Sequence, residues 1–298
     1  MLDFLIIGQG LAGSVLSHTL TKYNCEVKLI DNPQKKSASS SAAGIFNPIT
    51  GRQMRKTWMA EKLFDFLHPF YSQLEKTLEA RFLYTMPLIR VFSDQKQIND
   101  WYGQLERPGV ADFVQEKNAD VKNIIADFGY ISLKKTGYLD VSKLLEAYKK
   151  YLQKEDRLIL SDFHVNKLLL HRDHIEYDGI KARKLIFCQG YESINNSFFK
   201  DLPIIPNKGE ILSVHIPNLS PDYIYNKSGF LMPRNEGDFW AGATYNVNDI
   251  SIDPSQKGIE ELKLKIQNIT NLEFSIKKGI SGIRPTVKDR RPIIGLHP

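Results

Sequence analysis

The stretch LDFLIIGQGLAGSVLSHTLTKYNCEVKLID, residues 2–31, decides the fold. Leu2-Asp-Phe-Leu-Ile-Ile7 reads as a short buried strand. Gly8-Gln-Gly10-Leu-Ala-Gly13 follows as a glycine-rich turn, and a helix is expected from Ser14 to about Lys22. Residues 25–30 read as a second strand that ends at Asp31. Strand, turn, helix and strand in about thirty residues make a βαβ unit, whose crossover is right-handed. Each glycine of Gly8-x-Gly10-x-x-Gly13 has its own task. The first permits the tight turn, the second admits a pyrophosphate against the backbone, and the third lets helix and strand touch. Unpaired N–H groups and the positive helix end then face the phosphates. Asp31, about twenty residues on, accepts hydrogen bonds from ribose hydroxyls. Gly8, Gly10, Leu11, Ala12, Gly13 and Asp31 are the expected nucleotide contacts.

Outward from this unit, Ser37-Ala-Ser-Ser-Ser-Ala-Ala-Gly44 offers free amides, hydroxyls and little bulk. Such a loop lies easily along an extended diphosphate and flavin, which tips the reading from NAD to FAD. A helix is expected over 58–80, with Leu63, Phe66, Leu67, Phe70 and Leu74 at three-and-four spacing. Residues 82–135 read as short strands with a turn at Arg107-Pro-Gly109, and a second helix over 141–153 is capped by Asp140. Strands return over 158–188 and 204–245, a helix follows near 255–268, and the tail is loop and strand. The fold class is α/β: a Rossmann-like FAD-binding domain interleaved with a substrate domain on a mostly antiparallel sheet.

Bulk composition bounds the rest. The 298 residues suffice for one large or two interleaved domains, and 42% hydrophobic with 25% charged is ordinary for a globular chain. A net charge of +6 suits an anionic cofactor or substrate, while the scattered lysines argue for a solvated surface over RNA. Two cysteines, Cys25 and Cys188, fall outside any CxxC or Cys/His cluster, so no metal is expected and a reducing cytoplasm is. No segment reaches eighteen consecutive apolar residues, so no membrane span is expected.

The chain resembles the D-amino-acid oxidase superfamily of FAD-dependent oxidoreductases, in its glycine oxidase-like branch. Fragments in family order carry the resemblance: Gly8–Ser14, Ala38–Gly44, Thr136-Gly-Tyr-Leu-Asp140, Lys184–Gly190, Pro206–Glu210, Gly229–Arg234, Gly242-Ala-Thr244, and Gly282-Ile-Arg-Pro-Thr286 with Asp289 and Pro292–Gly295. The resemblance implies further cofactor contacts from Ser40, Ser41, Ala42, Ala43, Gly44, Gln189 and Gly190. It also implies an FAD-binding domain from 1–75, 137–198 and 279–298, with a substrate domain from 76–136 and 199–278. Asp31 stands where the family more often has Glu, and Phe230 stands where glycine oxidase-like sequences often have Tyr. The family continues past the equivalent of Pro298 through a glycine-rich turn beside the flavin and a closing helix. Either the sequence is part of a longer chain, or its flavin site lacks that turn.

The implied chemistry is oxidation of a C–N bond in a small amine or amino acid. Hydride passes from the α-carbon to flavin N5, and water hydrolyses the imine. Arg284 is the expected carboxylate clamp, because a guanidinium presents a planar fork to two oxygens, and Phe230 is expected to line the pocket. Two alternatives stand beside this reading: a flavin-dependent oxidase of tRNA wobble-uridine side chains, and a catalytically silent scaffold of the same fold. His171-Arg-Asp-His174 reads as a hairpin turn rather than a metal pair, and His18 as structural. Arg290 and Arg291 read as surface or phosphate-neutralising residues, and Arg52 and Lys56 as a solvated face or as stabilisers of negative charge on reduced flavin.

Overall fold

In the computed structural model, which describes residues 1–297 except 33, 118 and 236, Leu2–Ile7 forms strand β1, Leu11–Lys22 helix α1 and Val27–Asp31 strand β2. β1 and β2 run parallel, in the register Phe4–Val27 to Ile7–Ile30. The helix starts three residues earlier than the sequence suggests, directly on the N-cap Gly10. The continuous apolar run Phe4–Ile7 of β1 has a plain cause: the strand is covered on both faces. Ile6 packs with Val27, Leu144 and Tyr148 on the helical side, while Leu5 and Ile7 pack with Ile30 and Tyr177 on the other.

Six strands form the first sheet, in the order 158–160, β2, β1, 180–187, 175–177 and 168–170. The first four are parallel and the last two antiparallel. A second, seven-stranded sheet runs 275–286, 205–215, 238–242, 230–233, 224–226, 88–91 and 130–133. It is antiparallel except where 224–226 meets 88–91. A small three-stranded sheet joins 45–46, 137–139 and 83–85, so loop 37–44 runs straight into a pairing with the segment that begins helix Val141–Lys154. The fold is thus a Rossmann-like α/β unit interleaved with a mostly antiparallel sheet.

Ser275–Thr286 is an edge strand of the second sheet, paired with Ile205–His215 from Ile205–Thr286 to His215–Ser275. Residue 298 lies outside the described residues. Two expectations are corrected. Gln95–Leu105 is a helix, although 82–135 reads as strands; Asp94 caps it by accepting from Gln97 N at 2.8 Å. The stripe on helix Ala60–Leu78 is also shifted: Phe64 and Leu74 are buried, whereas Leu63 and Phe66 are exposed. Elsewhere the capping logic is met. Asp140 accepts from Lys143 N at 3.3 Å, and Ser255 from Gly258 N at 3.0 Å.

The second sheet has two unlike faces. Leu212, Val214, Leu231, Phe239 and Ala241 pack beneath helix Gln256–Gln267 through Leu262 and Ile266. Alternation sends Phe230, Met232 and Trp240 to the opposite face, toward Tyr138 and Phe64. That second face looks back to the nucleotide unit.

Candidate functional site

The glycine turn sits where the parallel strands end, the position at which open α/β sheets leave a crevice. Gly8 N donates to Ile30 O at 2.8 Å, and Cys188 N donates to Ile7 O at 2.8 Å, so three strand ends are drawn together. Gly8 has φ +103°, and a Cβ on Gly13 would lie 1.9 Å from the Gly8 carbonyl oxygen, so larger residues at either position would force the turn apart. α1 has no side-chain cap and no acid in its first turn, and Ala12 is exposed there. Leu11 N is taken by Ser39 Oγ, and Ala12 N and Gly13 N have no acceptor within the helix. The backbone at Gly10 is similarly bare, since its nearest foreign atom would be Ser39 Oγ, 3.3 Å from an added Cβ.

Asp31 closes β2, and its Oδ1 accepts from Gln9 N at 2.9 Å, which fixes the carboxylate against the turn. Burial pushes the Asp31 pKa above its ordinary value, with the Gln9 amide and Lys149 acting in the other direction. Cys188 packs under Gly13, and burial pushes its thiol up to about 11, so it remains a protonated core group. His18 is lowered by burial and then by Lys22, and lies between Phe70 and Tyr148, as its structural reading expects.

The small-residue loop reaches from this turn to the second sheet. Leu11 N donates to Ser39 Oγ at 3.1 Å, and Ser39–Ser41 forms one 3-10 turn. Ser142 Oγ donates to Ser40 O at 2.9 Å, and Ser41 Oγ donates to Ser281 O at 2.7 Å. Gly282 faces the same serine: an added Cβ there would lie 2.9 Å from Ser41 Cβ. Ala42 and Ala43 pack into the cores beneath, and Gly44 O accepts from Leu139 N at 3.0 Å.

Arg284 lies two residues beyond Gly282 and therefore projects on the same face of its strand. It pairs in register with Asn207, and its guanidinium folds over Gly209, where a Cβ would be 2.0 Å from Nη2. Nη1 donates to Thr244 O at 3.2 Å and to Asn207 Oδ1 at 3.3 Å, which anchors one edge of the fork. Burial lowers the Arg284 pKa, with Tyr245 opposing, but a guanidinium stays charged. Phe230 shares this face, because it pairs with Gly242, which pairs with Ile211, which pairs with Ile280. Its ring covers the bare Gly242. Gln189 and Gly190 lie at the strand end beside β1, where Gln189 Oε1 accepts from Asn196 Nδ2 at 2.7 Å and Gly190 is exposed.

The structure thus brings the glycine turn, Asp31, loop 37–44 and the Gly282–Arg284 strand into one continuous line. It also adds residues that sequence reasoning missed. Arg234 Nη2 donates to Asp140 Oδ2 at 2.5 Å and stacks over the rings of Trp240 at 4.3 Å and Tyr138 at 5.5 Å. Its Nη1 is buried without a protein partner, as is Asn207 Nδ2 beside Arg284. The signal for Arg234 was its four-residue spacing from Phe230, just past the end of the strand 230–233. Arg52 and Lys56 lie against Asp94 and Glu61, as expected of surface cations.

The model of the DAO family, FAD dependent oxidoreductase, matches residues 3–298. The chain is similar to a glycine oxidase from Bacillus subtilis (strain 168), with 25% identity over 337 residues covering 99% of this chain and 84% of that protein. It is also similar to the tRNA 5-methylaminomethyl-2-thiouridine biosynthesis bifunctional protein of Saccharophagus degradans, with 20% identity over 321 residues. That match covers 99% of this chain and 44% of that protein. Among solved structures, glycine oxidase from Geobacillus kaustophilus superposes with a TM-score of 0.78 at 18% identity, covering 100% of this chain and 86% of the other. No helix among the described residues is long and apolar enough to cross a membrane.

Proposed function

The chain belongs to the FAD dependent oxidoreductase family, and from that premise we propose that it oxidises the C–N bond of a small amino acid or amine bearing a carboxylate. The observation that carries this reading is the continuity from the α1 terminus, through Ser39 and Ser41, to the strand that carries Arg284. FAD bound along that line supplies a two-electron acceptor for the substrate's hydride.

Each residue then has a physical task. The amides of Ala12 and Gly13 and the α1 dipole hold the pyrophosphate, with Leu11 N tied to Ser39 Oγ beside them and Gly8 and Gly10 leaving room. Asp31 keeps one oxygen as an acceptor for ribose hydroxyls after Gln9 N has occupied the other. Ser40, Ser41, Ala42, Ala43 and Gly44 form the low-relief wall beside the flavin, and Gln189 and Gly190 border the crevice from the neighbouring strand. Arg284 anchors its Nη1 on protein acceptors and offers Nη2 to a substrate carboxylate, orienting the α-carbon. Phe230 closes the pocket with an apolar surface, which excludes water and gives no hydroxyl to the substrate. The cofactor half takes 1–75, 137–198 and 279–298 and the substrate half 76–136 and 199–278, with the Ser275–Thr286 strand crossing from one to the other.

Anaerobic spectra test the proposal. The flavin-loaded protein should bleach on mixing with a small amino acid such as glycine, sarcosine or proline. Bleaching by an RNA side chain instead would favour the tRNA alternative suggested by the second relative. An oxidised flavin unaffected by every carboxylate-bearing amine would overturn the proposal.

A further inference from the structure

The turn His171-Arg-Asp-His174 joins the antiparallel strands 168–170 and 175–177 at the edge of the first sheet. Leu170 pairs with Ile175 and Leu169 with Glu176, and His171 N donates to His174 O at 2.9 Å. In that register His171 and His174 face each other one step outward, and Glu176, two residues past His174, shares their face. The two imidazoles stack with centroids 4.4 Å apart and planes 9° from parallel. The nearest ligand atoms of His171, His174 and Glu176 all lie within 4.8 Å of one another.

A second observation gives this cluster a direction. Asp173 Oδ1 lies 2.8 Å from His174 Nδ1. A carboxylate there holds the proton on Nδ1 and leaves Nε2 as a lone-pair donor, the outer-shell arrangement that metal-ligating histidines use. His171 is exposed, so its ring can turn until its nitrogen converges with the other two donors. Lys181 approaches Glu176 Oε2 at 3.7 Å, an exposed pair that leaves the other carboxylate oxygen to a cation.

We propose that His171, His174 and Glu176 bind one divalent transition-metal ion of the zinc class, with Asp173 as the outer-shell support of His174. Two imidazoles and a carboxylate are the donor set of open zinc sites, in which water completes the tetrahedron. The ion clamps the hairpin tip, and the site is separate from the glycine turn and from Arg284.

Isothermal titration of the chelator-treated holoprotein with zinc chloride tests this. One equivalent should bind to the wild-type protein and none to the His171→Ala/His174→Ala variant, with flavin content unchanged in both. Asp173→Asn should weaken binding by about ten- to a hundredfold. Glu176→Gln should weaken it as well. Absence of zinc binding to the wild-type protein would overturn the proposal, as would an equivalent that survives the double histidine variant or an affinity indifferent to Glu176→Gln.

Discussion

The hydroxyl of Ser41 donates a 2.7 Å hydrogen bond to the carbonyl of Ser281, three residues before Arg284 and 240 residues away in sequence. This bond fastens the loop proposed to lie along the flavin to the strand proposed to hold the substrate. Ser41→Ala should cost about 0.5–1.5 kcal/mol of stability. It should also weaken FAD binding and raise KM together. Ser40 Oγ bonds within its own loop, to Ser37 O at 2.8 Å, so Ser40→Ala should change FAD binding and KM by less than Ser41→Ala does. Urea unfolding and steady-state kinetics check both arms, and equal effects from the two serines would count against the coupling.

Arg284 has Nη1 engaged by Asn207 and Thr244, so the clamp role falls to the rest of its fork. Arg284→Met should lower kcat/KM for a carboxylate-bearing amine by roughly a hundredfold, about 3 kcal/mol. A comparable amine without a carboxylate should lose far less. Equal losses for the two substrate types would show that Arg284 only supports the fold.

Asp31 makes a prediction with a sign. Burial raises its native pKa, so the folded apoprotein holds that proton more tightly than the unfolded chain does. The resulting stability is fully present below the ordinary carboxylate value and is lost as pH rises through the raised one. Asp31→Asn should therefore flatten the loss of apoprotein stability across that window and leave the apoprotein no less stable at neutral pH. The same variant should weaken FAD binding by about 1.5–3 kcal/mol, because a charged acceptor for ribose is gone. Thermal melts of the apoprotein against pH, set beside FAD titrations, separate the two effects.

Asp140 carries two duties with one carboxylate. Oδ1 caps helix Val141–Lys154 at Lys143 N, and Oδ2 takes Arg234 from the second sheet. The pair is mostly buried, with side-chain exposures of 19% for Arg234 and 13% for Asp140. Asp140→Ala should destabilise by about 3–5 kcal/mol, since it uncaps the helix and strands a guanidinium between Trp240 and Tyr138. Asp140→Asn keeps the cap and should cost less. Denaturant midpoints measure the difference.

The parts legible in the sequence are those whose causes are local. Gly8, Gly10, Gly13 and Asp31 lie within one βαβ unit, and the cap at Asp140 is read from its place just before Val141. The helix Gln95–Leu105 was hidden because its buried face includes Gln97 and Gln104 beside Trp101, so polar residues interrupt the apolar period. On helix Ala60–Leu78 the three-and-four template fits two phases that share Leu74, and only packing against Tyr138 and Ile131 selects Phe64 over Leu63. The strand Ser275–Thr286 pairs with Ile205–His215, some seventy residues earlier, so its place in the sheet has no local signal. The Arg234–Asp140 and Ser41–Ser281 bonds likewise join residues with no shared local pattern, which only tertiary pairing reveals.

Titration of FAD into the apoprotein of wild-type chain and of Gly10→Val measures the central claim most directly. The side chain of Gly10→Val would fill the space above the α1 terminus beside Ser39. The account predicts saturable binding of one FAD per wild-type chain and a loss of at least a hundredfold in the variant, with the circular dichroism of the apoprotein unchanged. FAD binding of equal strength to both proteins would contradict it.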